Sequence, residues 1–387
     1  MNAQMLKARI KYCVERAGQS FFGVFGKLVP VKKNRVLFYS FVGNQYSCSP
    51  KYICNYINKE CPGAYDMIWA FRDPEKFRSQ VPAGVKVIKY QSPAFFMAHL
   101  SSKYLISNVF PYHLIPKKKN QVMINTWHGG GAYKKVGLTA NTSDPRSYAA
   151  TIRYWQKNTS VYLSSSRLFT KYFIREGMQY KGEVLNTGLP RNDILFSDAA
   201  VREKIQTKVR QALGLSSDTK WVLYAPTYRK DDALVHFTFD ADRLKAALAA
   251  RFGGEWAVVT RVHHLTKKKI EGDTVDAGGY PDMQELLLSC DMLISDYSSS
   301  IWDDCLMKKP CLLYAYDLDL YRDKTSFFVD IMDWGFPVCE TFDGLLSAIG
   351  TFDADAFKEA MARHYEMLGG YDNGTGCRQV LEYMQKQ

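Results

Sequence analysis

Short apolar runs recur along the chain, with stretches between them that suit helices. The strand-like runs of the first half fall at 36–39, 67–70, 85–89, 104–106 and 122–125, a βαβ rhythm. A further run at 184–187 ends at Gly188-Leu189-Pro190-Arg191-Asn192-Asp193, where glycine, proline, Asn and Asp together break the pattern. It resumes with a helix predicted over 199–213, strands at 221–225, 256–260, 292–295 and 311–314, and helices at 241–252 and 283–289. Two doubly wound α/β units follow from this alternation. We expect a basic lead over 1–33, a first unit over 34–193 and a second over 194–387.

Polar residues gather just beyond the strand-like runs, where open α/β sheets bind their ligands. Leu293 and Ile294 run into Ser298, Ser299 and Ser300, good N-cap residues before a stretch free of Gly and Pro. Free N–H groups at such a helix start favour a phosphate, although the same junction also suits a plainly capped helix. His128 ends another run and is followed by Gly129-Gly130-Gly131, then Lys134 and Lys135. The glycines clear space around the imidazole and the lysines add positive charge, which favours a general base over a histidine that merely caps a strand. Arg261 and His263 lie two apart and so share one face of an extended segment. That pairing suits a guanidinium fork on a phosphate beside an imidazolium, or else a surface Arg with a satisfied histidine. Metal binding by His263 and His264 is disfavoured, because adjacent strand residues diverge. Arg229, beyond Pro226 and Thr227, is a further candidate phosphate ligand. Asp303 either accepts hydrogen bonds from ribose or polyol hydroxyls or simply complements the helix dipole. Asp317 and Asp319 read better as turn residues than as catalysts.

Composition narrows the partners. A formal net charge of +12 points to anionic ones, but the basic residues are dispersed and no zinc-finger, RNP or basic-zipper signature occurs, which disfavours nucleic acid. Nine cysteines without a CxxC pair argue against a disulfide framework and a zinc site, and fit a reducing cytoplasm. No apolar run approaches the roughly 20 residues that span a bilayer. The lead has Lys and Arg spread among apolar positions and no compact apolar core with a cleavage site, so we expect a basic amphipathic segment rather than a signal peptide. GxGxxG, Walker, GxSxG and HExxH patterns are missing, which removes the best support for dehydrogenase, P-loop NTPase, serine hydrolase and zincin readings.

Taken in order, Thr126-Trp127-His128-Gly129, Gly188 to Asp193, Leu223-Tyr224-Ala225-Pro226-Thr227-Tyr228-Arg229, Arg261-Val262-His263 and Ser295-Asp296-Tyr297-Ser298-Ser299 resemble the CDP-glycerol glycerophosphotransferase family. The resemblance covers roughly 35–321. It implies a GT-B fold of two facing Rossmann-like domains, the second holding the CDP donor and the first receiving the acceptor. It also implies a cytoplasmic enzyme, peripheral on the inner face of the cell membrane, where the basic lead would help. His128 then corresponds to the base and His263 to a histidine beside the donor phosphates. Arg229, Ser298, Ser299 and Asp303 correspond to donor contacts, with Arg261 and Thr227 beside them. Gly129, Gly130, Lys134 and Lys135 fall on the acceptor side. The implied reaction moves glycerol phosphate from CDP-glycerol to a hydroxyl of a lipid-linked surface glycan or teichoic-acid-type chain, releases CMP and strictly requires no metal or other cofactor. Two departures bear on the polyol and acceptor: Gly130-Gly131 replaces the usual Thr-Pro, and His264 replaces a proline. CDP-ribitol is thus a second donor reading, and a nucleotide-sugar glycosyltransferase of the same fold is a third. A membrane-surface protein that binds anionic glycan is the reading without catalysis.

Overall fold

The computed structural model describes residues 3–140, 145–227, 239–262 and 270–387. Within it the chain builds two all-parallel sheets. The first comprises β1 (Lys32–Tyr39), β2 (Asp66–Phe71), β3 (Lys86–Lys89), β4 (Ser102–Ser107), β5 (Val122–Asn125), β6 (Val161–Leu163) and β7 (Glu183–Leu185), in the order β3-β2-β1-β4-β5-β6-β7. The second comprises β8 (Lys220–Tyr224), β9 (Trp256–Thr260), β10 (Val275–Asp276), β11 (Met292–Ser295), β12 (Cys311–Tyr314) and β13 (Val338–Cys339), in the order β10-β9-β8-β11-β12-β13. Each order reverses direction once, between β1 and β4 and between β8 and β11. Both reversals are topological switch points, where loops diverge and leave a crevice.

Alternation along the strands explains why the sheets are covered on both sides. Val36 and Phe38 enter one core with Met67, Trp69 and Phe71, while Leu37 and Tyr39 enter the opposite one with Ile68 and Ala70. The Phe38 and Trp69 rings stack at 5.4 Å, adding to the burial of two large side chains. Helix ends follow local chemistry: Asp198 accepts from the Val201 N–H at 2.9 Å to start Ala199–Leu213, and Gly214 ends it at φ +68°.

Strands β1 to β7 fall between 32 and 185 and β8 to β13 between 220 and 339, but the last helix does not stay with the second sheet. Gly376–Gln385 falls within the expected second unit, yet Cys377, Val380, Leu381, Tyr383 and Met384 lie in the core of the first. Tyr104 donates to the Met384 carbonyl across that contact at 2.5 Å. An amphipathic pattern states that one face is buried, not which sheet buries it.

The lead forms a helix, Ala3–Phe25, followed by a 3-10 turn. Phe22 packs against Phe96 and the Gln19 amide donates to the His113 carbonyl, which fixes one face on the first unit. Val14, Phe21, Val24, Phe25 and Leu28 are exposed, on a spacing that puts them along one other face. Among the described residues no helix is long and apolar enough to cross a membrane.

Candidate active site

The loops beyond both switch points line one cleft of about 310 Å³. Phe41 follows β1 and His128 follows β5; Ala225 and Pro226 follow β8, Arg261 follows β9, and Ser298, Ser299 and Ser300 follow β11. Gln45, Ser47 and Cys48 complete it from the first unit, together with Arg191, and Met283, Gln284 and Asp303 from the second.

Asn108, just past β4, organises the first-unit wall. Its side-chain oxygen accepts from the Phe41 N–H at 2.8 Å, and its backbone carbonyl faces Nδ1 of His128 at 2.8 Å. A carbonyl only accepts, so Nδ1 carries the proton and Nε2 keeps its lone pair. Among the described residues Nε2 has no hydrogen bond. Burial holds the imidazole pKa below its ordinary value; the Asn108 bond opposes this and the Arg191 charge reinforces it. A half-buried, neutral imidazole with Nε2 free is a competent base. Phe41 at 5.5 Å and Trp127 at 4.2 Å flank the ring. Several of these residues have left-handed backbones: Phe41 at φ +45°, Cys48 at +62° and Trp127 at +51°. Such positions cost about 1–3 kcal/mol each, and their clustering marks a site held in place by its surroundings.

Within the glycine run, Gly130 has a packing cause. A Cβ on Gly130 would lie 2.0 Å from Trp302 Cδ1, so the backbone there presses on a buried indole rather than on a ligand. At Gly129 a Cβ would meet Ser299 Oγ at 3.3 Å, which sets the loop bearing His128 directly against the serine turn. In that turn the helix is Ser300–Cys305, and Ser299 occupies the cap position without a side-chain cap bond. Ser298 Oγ instead accepts from Ser300 at both N and Oγ. The N–H groups of Ser298 and Ser299 have no partner among the described residues, leaving two donors for an anion. Arg261 reaches Met283 Sδ at 3.3 Å from the β9 side; burial lowers its pKa, and the nearby Asp282 opposes this.

Other expected residues are elsewhere. Thr227 donates from N and Oγ1 to the buried Asp296. Lys134 and Lys135 do not line the cleft: Lys134 bridges to Phe327 with its ammonium over the Tyr321 ring, and the Lys135 N–H bonds to Ser326. Arg229, His263 and His264 lie outside the described residues. Asp303 is not open to a ribose. Its Oδ1 accepts from Arg191 and Asn192, and its Oδ2 from Gln284 and Arg191, all between 2.8 and 3.1 Å.

Arg191 was missed as a site residue, although it stands in the motif that marked the break. It is 5% exposed, and it donates to the His128 carbonyl at 2.6 Å as well as to Asp303. A second tie joins the units where Lys51 and Tyr52 reach Asp282, the cap of Met283–Ser289.

The model of the CDP-Glycerol:Poly(glycerophosphate) glycerophosphotransferase family matches residues 22–386. The teichoic acid poly(glycerol phosphate) polymerase of Staphylococcus epidermidis is 29% identical over 95% of this chain, which spans only 53% of that relative, about half its length. The teichoic acid glycerol-phosphate transferase of Staphylococcus aureus is 27% identical, with 98% of this chain and 99% of that relative covered. A structure of the wall teichoic acid polymerase TagF superposes with a TM-score of 0.82 at 26% identity, covering 100% of this chain and 98% of that one. The expected GT-B architecture is thus matched along its whole length. With the family match, the chain belongs to the CDP-glycerol:poly(glycerophosphate) glycerophosphotransferase family.

Proposed function

We propose that this protein transfers a polyol phosphate, glycerol phosphate first, from a CDP-polyol to a hydroxyl of a membrane-linked surface glycan or teichoic-acid-type acceptor. The observation that carries the reading is the juxtaposition of a tautomer-fixed His128 with the unpaired N–H groups of Ser298 and Ser299, at the meeting of two switch points. His128 Nε2 takes the proton of the acceptor hydroxyl as that oxygen attacks the phosphorus bearing the polyol. The bond from this phosphorus to the bridging oxygen breaks, CMP leaves with the electron pair, and a phosphodiester remains. Arg261 and the two serine N–H groups hold the growing charge on the leaving phosphate. These donors meet that charge without a metal ion in this reading. A histidine-substituted TagF soaked with CDPG is among the matching structures, which supports a CDP-linked donor. Ribitol-phosphate polymerases are also among the relatives, which makes CDP-ribitol the second reading.

The exposed apolar face at Val14, Phe21, Val24 and Leu28, with Arg16, Lys27, Lys32 and Lys33 exposed beside it, suits the anionic inner surface of a cell membrane, where a lipid-linked acceptor resides. The test is CMP release from CDP-glycerol and CDP-ribitol by wild type and His128→Ala, with lipid-linked acceptors and with EDTA present. Acceptor-dependent release that persists in EDTA and disappears in the variant is expected. No release from either donor by folded wild type overturns the reading in favour of sugar transfer.

A further inference from the structure

We propose that Arg191 is a positioning residue, which holds the loop bearing His128 in register with the serine turn of the second unit by bridging the His128 carbonyl to the Asp303 carboxylate. This rests on the function proposed above. Its guanidinium reaches the His128 oxygen through Nη1 at 2.6 Å and Asp303 Oδ2 through Nη2 at 2.8 Å. Both partners of the ion pair are almost fully buried, at 5% and 2% exposure, so the pair is shielded from solvent screening. Each end is also one step from a reacting group. The His128 carbonyl belongs to the residue that carries the base, and Asp303 lies in the short helix that the serine turn opens.

The pair is braced. Asn192 and Gln284 donate to Asp303 at 2.9 Å each, and the Arg191 N–H approaches Ser49 Oγ at 3.4 Å. Asp303 therefore has no lone pair left for a ligand, and Arg191 uses its fork on protein acceptors. A planar guanidinium can satisfy two acceptors in different directions, whereas an ammonium at the same place cannot reproduce both angles. Arg191→Lys keeps the charge and removes the geometry.

A bolt of this kind acts through the position of His128, so its loss should appear in kcat rather than in donor affinity. A misplacement of about 1 Å at reacting atoms costs roughly 10²-fold. In the CMP-release assay, Arg191→Lys and the near-isosteric Asp303→Asn are each expected to lower kcat by about 10- to 100-fold with donor KM within about twofold. The double variant is expected to be little worse than the poorer single one, because the two residues act as a unit.

A second readout does not depend on turnover. The charged or titratable side chains that share the cleft with His128 are Cys48, Arg191, Arg261 and Asp303, and the Arg191 charge acts on its ring. Histidine-ring NMR on labelled protein, with His128→Gln to identify the signal, follows its titration. Arg191→Met removes a positive charge that lowers the His128 pKa and is expected to move the His128 titration to higher pH. If wild type releases no CMP from either donor while this shift occurs, the function is overturned and the bridge stands. If Arg191→Lys and Asp303→Asn keep wild-type kcat, and Arg191→Met leaves the His128 titration unmoved while thermal stability falls, Arg191 is only a structural bolt and the proposal is overturned.

Discussion

Gly130→Ala tests the packing that seats the loop bearing His128. The new Cβ would lie 2.0 Å from Trp302 Cδ1 and 2.6 Å from both Cγ and Nε1. Unstrained carbon contacts are about 3.5–4.0 Å, so one partner must yield by about 1.5 Å. Trp302 is poorly placed to do so: it is fully buried, its Nε1 donates to Asp372 Oδ2 at 3.2 Å, and its ring stacks on Tyr365 at 5.4 Å. The loop therefore moves, and His128 is two residues away. Overpacking of this kind costs about 1–3 kcal/mol of stability, and a shift of about 1 Å at the base lowers kcat by roughly 10²-fold. Urea midpoints report the first effect and CMP release the second. Gly129→Ala is the control, since its Cβ meets a rotatable Ser299 hydroxyl at 3.3 Å and should cost far less. Wild-type midpoint and turnover in Gly130→Ala, or a larger loss in Gly129→Ala, would refute the account.

Three further outcomes are expected. Burial pushes the Asp304 carboxyl up to about 7, Lys309 opposing and Asp303 adding, and neither of its oxygens has a hydrogen bond. The folded pKa exceeds the unfolded one, so this contribution is full below about pH 4 and is lost as pH rises to about 7. Relative to wild type, Asp304→Asn should gain about 3 kcal/mol between pH 5 and pH 8, the two units from pH 5 to the folded pKa at about 1.4 kcal/mol each. Denaturant curves at the two pH values check this, and a constant difference would contradict it. The lowered His128 pKa keeps the base form populated in mild acid, so kcat/KM should stay flat below pH 6.5 before falling. A pH–rate profile with its acid limb at or above 6.5 would count against the assignment. Phe21→Glu with Leu28→Glu should abolish sedimentation with anionic phosphatidylglycerol vesicles and leave turnover on a soluble acceptor intact; unchanged sedimentation would remove the membrane role of that face.

Much of the architecture was legible because buried parallel strands announce themselves as apolar runs. The predicted strands at 256–260, 292–295 and 311–314 coincide with β9, β11 and β12. β10 and β13 escaped because two residues are too few to form such a run. The site was half legible. Polar residues after strand ends marked the cleft, and His128 stood out there. Asp303 resembled a ligand contact because its partners Arg191 and Asn192 are 112 and 111 positions away, a distance at which local pattern carries no trace. The glycines showed that something approaches closely, but the neighbour is Trp302, which only the folded chain brings there.

The helix Gly376–Gln385 has a consequence for how the chain is made. The core of the first sheet includes Val380, Leu381 and Met384, so that unit stays unfinished on the ribosome until the second has been synthesised. Its apolar face must wait through most of translation without its cover. Folding of the two halves is thereby linked in time, and a nascent chain halted near residue 230 should remain open to protease although every strand of its first sheet has already left the ribosome.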